Sequence, residues 1–313
     1  MATTRPQSSP DASNGLSGLV EATAAEYPRY ARLAEAGRPT GFSYYYPVLL
    51  SYQRRNRRAI YLGEDDGSLC VYRWQKVEDV ARLDLYLAPT PMNPAVLRRC
   101  LERINDHNGD KAGRVMRIDD RDAEAVAEAG MRVVARREQY LFNPADFDDL
   151  GGSRLRTVRR NVSAIEKLPN VELRPYRPED AEACYRLLDA WTAEHRERHG
   201  TSGGRSSARR MIRLAGALPE TVLRGQVILI DGELVGYGFG GAIHSQLGCF
   251  HEAKCKSDIK GLTYYQRRSF LSSLRDYPLV NDGSDVGRQG LRQIKQSFRP
   301  TGMHREHRGY QHG

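Results

Sequence analysis

At 313 residues the chain is long enough for two ordinary domains or one large one. With 40% hydrophobic residues and no apolar run near the roughly 20 residues of a spanning helix, it reads as a water-exposed globular protein rather than a membrane one. A net charge of +9 points to polyanionic partners, either nucleic acid or an anionic membrane face.

Met1 to Gly18 is rich in Ser, Thr, Pro, Asn and Gly and lacks the cationic start and apolar core of a signal peptide. It reads as a disordered leader, and the chain as cytoplasmic. The five cysteines, Cys70, Cys100, Cys184, Cys249 and Cys255, are scattered without CxxC spacing, which fits free thiols and gives no metal site. Residues 19–150 read as a first α/β domain. Leu19 to Ala36 has helical spacing, and Phe42 to Leu50 is an aromatic and apolar run followed by Arg54-Arg55-Asn56-Arg57-Arg58. Alternation predicts strands at 59–62, 68–73 and 84–87, with Asp65-Asp66-Gly67 as a hairpin turn. A helix over 94–105 follows, with Val96, Leu97, Cys100, Leu101 and Ile104 on one face, then a strand at 114–118, a helix at 121–129 and a strand at 133–142.

Residues 151–168 form a basic connecting helix. Leu155, Val158, Val162 and Ile165 make one apolar stripe, and Arg156, Arg159, Arg160, Ser163 and Lys167 the opposite face. Such a face suits RNA phosphates, although a solvated surface gives the same pattern. In 169–313 the predicted order is a strand at 169–174, helices at 178–198 and 208–218, a hairpin of 222–230 with 234–241 across Asp231-Gly232, a strand at 245–252 and a helix at 262–274. That order is the one of an acetyltransferase-type (GNAT-like) fold, and the chain reads as two GNAT-like domains in tandem. His304, His307 and His312 fall in what reads as a flexible C-terminal tail.

Asn281 to Pro300 places an acid-containing turn directly before a helix that carries Arg292 and Lys295 and ends at Pro300. Backbone N–H groups at a helix start, a carboxylate beside them and two cations inside make a compact polar site. Coenzyme A needs a loop of the type [RQ]-x-x-G-x-[GA] around its pyrophosphate. The corresponding loop reads Asp258-Ile259-Lys260-Gly261-Leu262-Thr263, with an acid where a cation or amide should be, so no coenzyme A is expected.

The block Asn281–Pro300 resembles the closing motif of the C-terminal catalytic domain of phosphatidylglycerol lysyltransferases, roughly N-x-E-D-D-L-G-x-x-G-L-R-x-A-K-x-S-Y-x-P. Arg159-Arg160-Asn161 is similar to that family's R-x-x-R-N segment. His251, Lys254, Asp258 and Gly261 match its H-x-E-K-A-D-x-D-x-x-G block. Ala253 stands where the family has Glu, and Gly283-Ser284 stand where it has Glu-Asp. The resemblance implies an aminoacyl-tRNA donor and no further cofactor. The altered acids suggest a donor other than lysine. The family's catalytic domain follows a large transmembrane domain that this sequence lacks, so the resemblance is to soluble relatives that act on small molecules in natural-product pathways, with an amine or hydroxyl as acceptor. A phospholipid headgroup and a non-catalytic RNA-binding role are the alternatives.

On that reading Asp285 holds the donor's α-ammonium or acts as base, and Arg292 and Lys295 neutralise phosphates or an oxyanion. His251 is the general base by intrinsic pKa, and Lys254 completes the catalytic set. Arg156, Arg159, Arg160 and Lys167, with Asn281 and Asp258, are the substrate-binding expectations. An aspartate before a helix is also a common N-cap, and a strand histidine also fits a core.

Overall fold

Pro28 sets the first departure from the predicted elements. A computed structural model describes residues 16–200 and 204–311; the expected leader lies outside the described residues up to 15, as does His312. The stretch read as one helix is a short strand β1 (Val20–Glu21), a 3-10 turn and helix α1 (Tyr27–Gly37). Proline fits the first turn of a helix but not its interior. Pro28 sits in that first turn, and the residues before it pair with the sheet instead, Val20 opposite Leu62.

The aromatic run closes into α2 (Tyr46–Tyr52), whose residues Tyr46 to Ser51 are all buried. A meander follows, β2 (Arg58–Asp65), β3 (Ser68–Val77) and β4 (Val80–Thr90), then α3 (Pro94–Asn108), β5 (Arg114–Ile118), α4 (Ala123–Glu128) and β6 (Met131–Phe142). The side chain of Asn93 caps α3 by accepting from the Ala95 and Val96 amides at 3.0 and 3.4 Å. After α5 (Arg156–Glu166) come β7 (Val171–Pro175), α6 (Ala181–His199), α7 (Arg205–Ala215), β8 (Arg224–Ile230), β9 (Glu233–His244), β10 (Leu247–Cys255), α8 (Leu262–Ser273), β11 (Leu279–Asn281), α9 (Gln289–Ser297) and β12 (Gly302–Gln311).

Each half repeats one step. An antiparallel meander ends in a strand that pairs in parallel with the next across a helix: β4 with β5 across α3, and β10 with β11 across α8. Parallel neighbours need such a crossover, and a helix supplies it. The fold is α/β, with two tandem GNAT-like halves joined by the basic helix α5. Among the described residues one 12-stranded sheet, in the order β1-β2-β3-β4-β5-β12-β6-β11-β10-β9-β8-β7, runs through both.

The tail read as flexible is β12, antiparallel to both β5 and β6. Its inward positions are polar, which hid it from hydrophobic periodicity. Glu306 is buried against Ser43 Oγ (2.6 Å) and Arg117 (3.0 Å), and His304 lies 3.8 Å from Asp119.

The stripe Leu155, Val158, Val162 and Ile165 is buried, packing the inner face of α5 against the α8 side of the core. Burial of each such side chain contributes about 1.5–3 kcal/mol. The contact is tight at Gly261, whose φ is +92° and whose missing Cβ would lie 2.5 Å from the carbonyl oxygen of Asn161. Two of the motif blocks therefore touch through bare backbone. Gly261→Ala is expected to lose about 3 kcal/mol, from left-handed strain and the clash together. A thermal melt within 1 °C or so of wild type would contradict this contact.

Candidate active site

β10 and β11 pair only at Leu247–Leu279, Gly248–Val280 and Cys249–Asn281. Beyond Asn281 the chain stays with β6: the Asp282 amide donates to the Tyr140 carbonyl (2.9 Å), and the Tyr140 amide to that of Gly283 (3.0 Å). β10 thus loses its neighbour on that side, and it bulges between Phe250 and Glu252. Bulges beside a site re-aim side chains. A cleft of about 640 Å³ opens in the gap, between β10 and the loop leading to α9.

His251, at the bulge, lines this cleft half-buried. Its ring stacks on Phe42 at 5.8 Å and meets the edge of Tyr45 at 6.5 Å, and among the described residues no group hydrogen-bonds its nitrogens. Burial lowers its pKa, with Lys254 and Lys295 reinforcing and Glu252 opposing, so the imidazole is neutral at neutral pH. Beside it Lys254 pairs with Glu252, donates to the Ala253 carbonyl (3.2 Å) and sits 4.5 Å over the Trp191 ring. Glu252 was not anticipated. The family acid expected at 253 is absent, and its neighbour at 252 brings a carboxylate into the cleft.

A buried charge cluster forms the cleft's inner wall. Arg267 of α8 is ion-paired with Asp282, and both side chains are under 10% exposed. Burial pulls the Arg267 guanidinium down to about 10, still charged at neutral pH. Lys295 Nζ lies 3.6 Å from the Asp282 carboxylate and donates to the carbonyls of Asp282, Gly283 (3.1 Å) and Ser284 (3.1 Å). Burial, then the Arg267 charge, pushes its pKa well below the usual lysine value. Its three donors are engaged by the loop it shapes, in place of the phosphate or oxyanion expected for it. Neither Arg267 nor Asp282 carries a signal in hydrophobic periodicity, and only the fold brings them together.

Asn281, expected among the substrate contacts, is sealed beneath the cleft. Its Nδ2 donates to the Thr40 carbonyl (2.8 Å) and Gln139 Oε1 (2.6 Å), and its Oδ1 accepts from the Gly283 amide (2.7 Å). Gln139 Oε1 also accepts from the Phe42 amide (3.0 Å), so this network sets the ring on which His251 stacks.

The remaining expected residues lie elsewhere. Asp285 and Arg292 face a neighbouring depression with Arg136, Arg137 and Arg305. Asp285 accepts from Arg292 Nε (2.8 Å), Tyr140 Oη (2.9 Å) and the Gly287 amide (2.8 Å). Burial raises its pKa, but those bonds outweigh it and hold the carboxyl below its ordinary value, which disfavours a role as base. Nor is it the N-cap of α9, a position taken by Arg288. Asp258 is exposed beside Glu194 and Glu233, lining a separate depression of about 400 Å³. Arg156 and Arg160 are exposed on α5 and Lys167 is exposed just past its end, while Arg159 donates to the carbonyls of Leu150 (2.5 Å) and Gly152 (2.8 Å). Helix α8 stands between the two regions: Gln266 and Arg267 line the cleft, and Arg268 lines the depression at α5. Of the expected set, the cleft gathers His251, Lys254 and Lys295.

The family described as Phosphatidylglycerol lysyltransferase, C-terminal, matches residues 43–306, a span that holds every residue lining the cleft except Phe42. The chain belongs to this family. No curated protein matches it. Among solved structures, a conserved protein of unknown function from Bacteroides thetaiotaomicron shares the fold at 17% identity and a TM-score of 0.77, covering 94% of this chain and 99% of that one. L-PGS from Bacillus licheniformis does so at 15% and 0.66, covering 91% of each. FemX does so at 10% and 0.63, covering 92% of this chain and 96% of its own. Among the described residues no helix is long and apolar enough to cross a membrane.

Proposed function

We propose that the protein moves the aminoacyl group of an aminoacyl-tRNA onto an amine or hydroxyl of a small-molecule acceptor, as an enzyme working in the β10 cleft. The observation that carries this reading is His251, neutral and without a hydrogen-bond partner among the described residues, beside the Glu252–Lys254 pair in the cleft of a member of this family.

An aminoacyl ester is already activated, so positioning and charge stabilisation supply most of the rate. The acceptor's nitrogen or oxygen attacks the ester carbonyl while His251 takes its proton. The tetrahedral intermediate then collapses, the C–O bond to the ribose breaks, and the imidazolium returns the proton to the departing ribose oxygen. Glu252 meets the donor's α-ammonium, and Lys254 faces the oxyanion. The β10 edge beyond Cys249, which among the described residues has no strand neighbour on that side, offers backbone groups to the substrate.

The test is incubation with a total pool of charged tRNA, following loss of each aminoacyl ester when cell extract is added. One aminoacyl-tRNA class is expected to be consumed. No loss from any class, or micromolar binding of acetyl-coenzyme A, would sink the reading. Label appearing in phosphatidylglycerol would move the acceptor to the lipid. Glu252→Gln is expected to lower kcat/KM roughly tenfold to hundredfold, the loss of one charge-assisted hydrogen bond.

A further inference from the structure

The basic run at 54–58 has no part in the cleft. It closes on itself: the Arg54 amide donates to the Arg58 carbonyl (2.8 Å), the Arg58 amide to that of Arg54 (2.9 Å), and Asn56 makes the turn at φ +57°. Arg54 and Arg58 are thereby direct cross-strand partners. Like charges so placed repel, and the pairing destabilises the fold unless something offsets it.

Helix α7 adds Arg210 and Arg213 to the same groove, whose volume is about 690 Å³. Arg210 is held by the Ser51 carbonyl and by Ser206 Oγ (2.9 Å), and Arg58 by the Tyr52 ring at 4.0 Å. Among the described residues none of Arg54, Arg55, Arg58, Arg210 and Arg213 has a carboxylate partner, whereas Arg205 and Arg209 of the same helix both pair with Asp189. Burial lowers the pKa of both Arg58 and Arg210, and their mutual repulsion with Arg54 adds to it. The groove is walled by Tyr61 and Trp74, and Glu21 is the one acid lining it among the described residues.

We infer that this groove takes the phosphate backbone of an RNA, with a base against Trp74 or Tyr61, and that the RNA is the donor of the reaction proposed above. The inference rests on that reading. Guanidinium groups match phosphate oxygens two at a time, and aromatic walls stack bases of any identity. Helix α7 links groove and cleft. Gly204, just before it, lines the cleft, and Arg213 lines the groove. Nine helical steps span about 14 Å, the length of about four stacked nucleotides. A concave groove favours a strand of RNA over a membrane, which meets a convex face.

The experiment measures binding of uncharged total tRNA to the full chain and to an Arg54→Gln/Arg55→Gln/Arg213→Gln variant, whose three changed side chains are all exposed. The variant is expected to bind about tenfold more weakly near 0.15 M salt, with the slope of log affinity on log salt shallower by about two. The matching lysine variant should recover most of both. For a charged tRNA, KM should rise while kcat stays within about twofold. Equal tRNA affinity of variant and wild type overturns this inference alone. No tRNA binding by the wild type overturns it together with the donor. Binding lost only to phosphatidylglycerol vesicles, with tRNA affinity unchanged, assigns the groove to a membrane and overturns it as well.

Discussion

Asp282→Ala is expected to lower stability by about 3–5 kcal/mol and to abolish transfer. The carboxylate is the counter-charge of Arg267 and lies 3.6 Å from the ammonium of Lys295, all three buried. Removing it leaves the Arg267 guanidinium without its counter-charge in a region of low dielectric, and breaking one partner of a buried pair costs about that much. For a chain of this size the midpoint of thermal unfolding should fall by roughly 6 °C. Replacing both members of the pair, Asp282→Leu with Arg267→Met, should recover part of the stability without activity, because it removes the Asp282–Arg267 ion pair while Lys295 keeps only its carbonyl acceptors. A single alanine variant melting within about 2 °C of wild type would contradict the cluster as described.

His251→Ala is expected to behave oppositely, with kcat/KM down about 10²–10⁴-fold and a nearly unchanged melting temperature. The sign of the pH dependence follows from the lowered pKa. The neutral ring is the active form, and burial extends it below the ordinary imidazole range. Activity should hold through neutral pH and fall only in acid below about 6.5. An acid limb centred above pH 7 would mean that another group takes the proton.

Local chemistry made much of the fold legible. The turns Asp66-Gly67 and Asp231-Gly232 adopt the positive φ that their residue types favour, and they register the hairpins β2–β3 and β8–β9. The face of α3 buries the five residues that its period assigns to it, and the stripe of α5 does the same. Interior polarity was not legible. Asp282, Arg267, Gln139 and Glu306 are buried because partners arrive from distant segments, and no local pattern encodes that. The same cause separates Asp285 and Arg292 from the cleft: they satisfy each other, so the acid-and-cation motif marks a strapped turn. Glu252 escaped because a bulge, invisible to a strict two-residue period, rotates the side chains around it.

Strand β12 has a consequence for synthesis. Residues 302–311 fill the slot between β5 and β6, which are drawn from the first half of the chain. While the chain is being made, those two strands leave the ribosome more than 150 residues ahead of the one that joins them. Over that interval both present open hydrogen-bonding edges, the feature by which strands recruit foreign chains. The exposed faces of β6 carry Arg132, Arg136 and Arg137, charges that discourage such pairing. Completion of the first half thus waits on translation of the second, and the two mature as one kinetic unit.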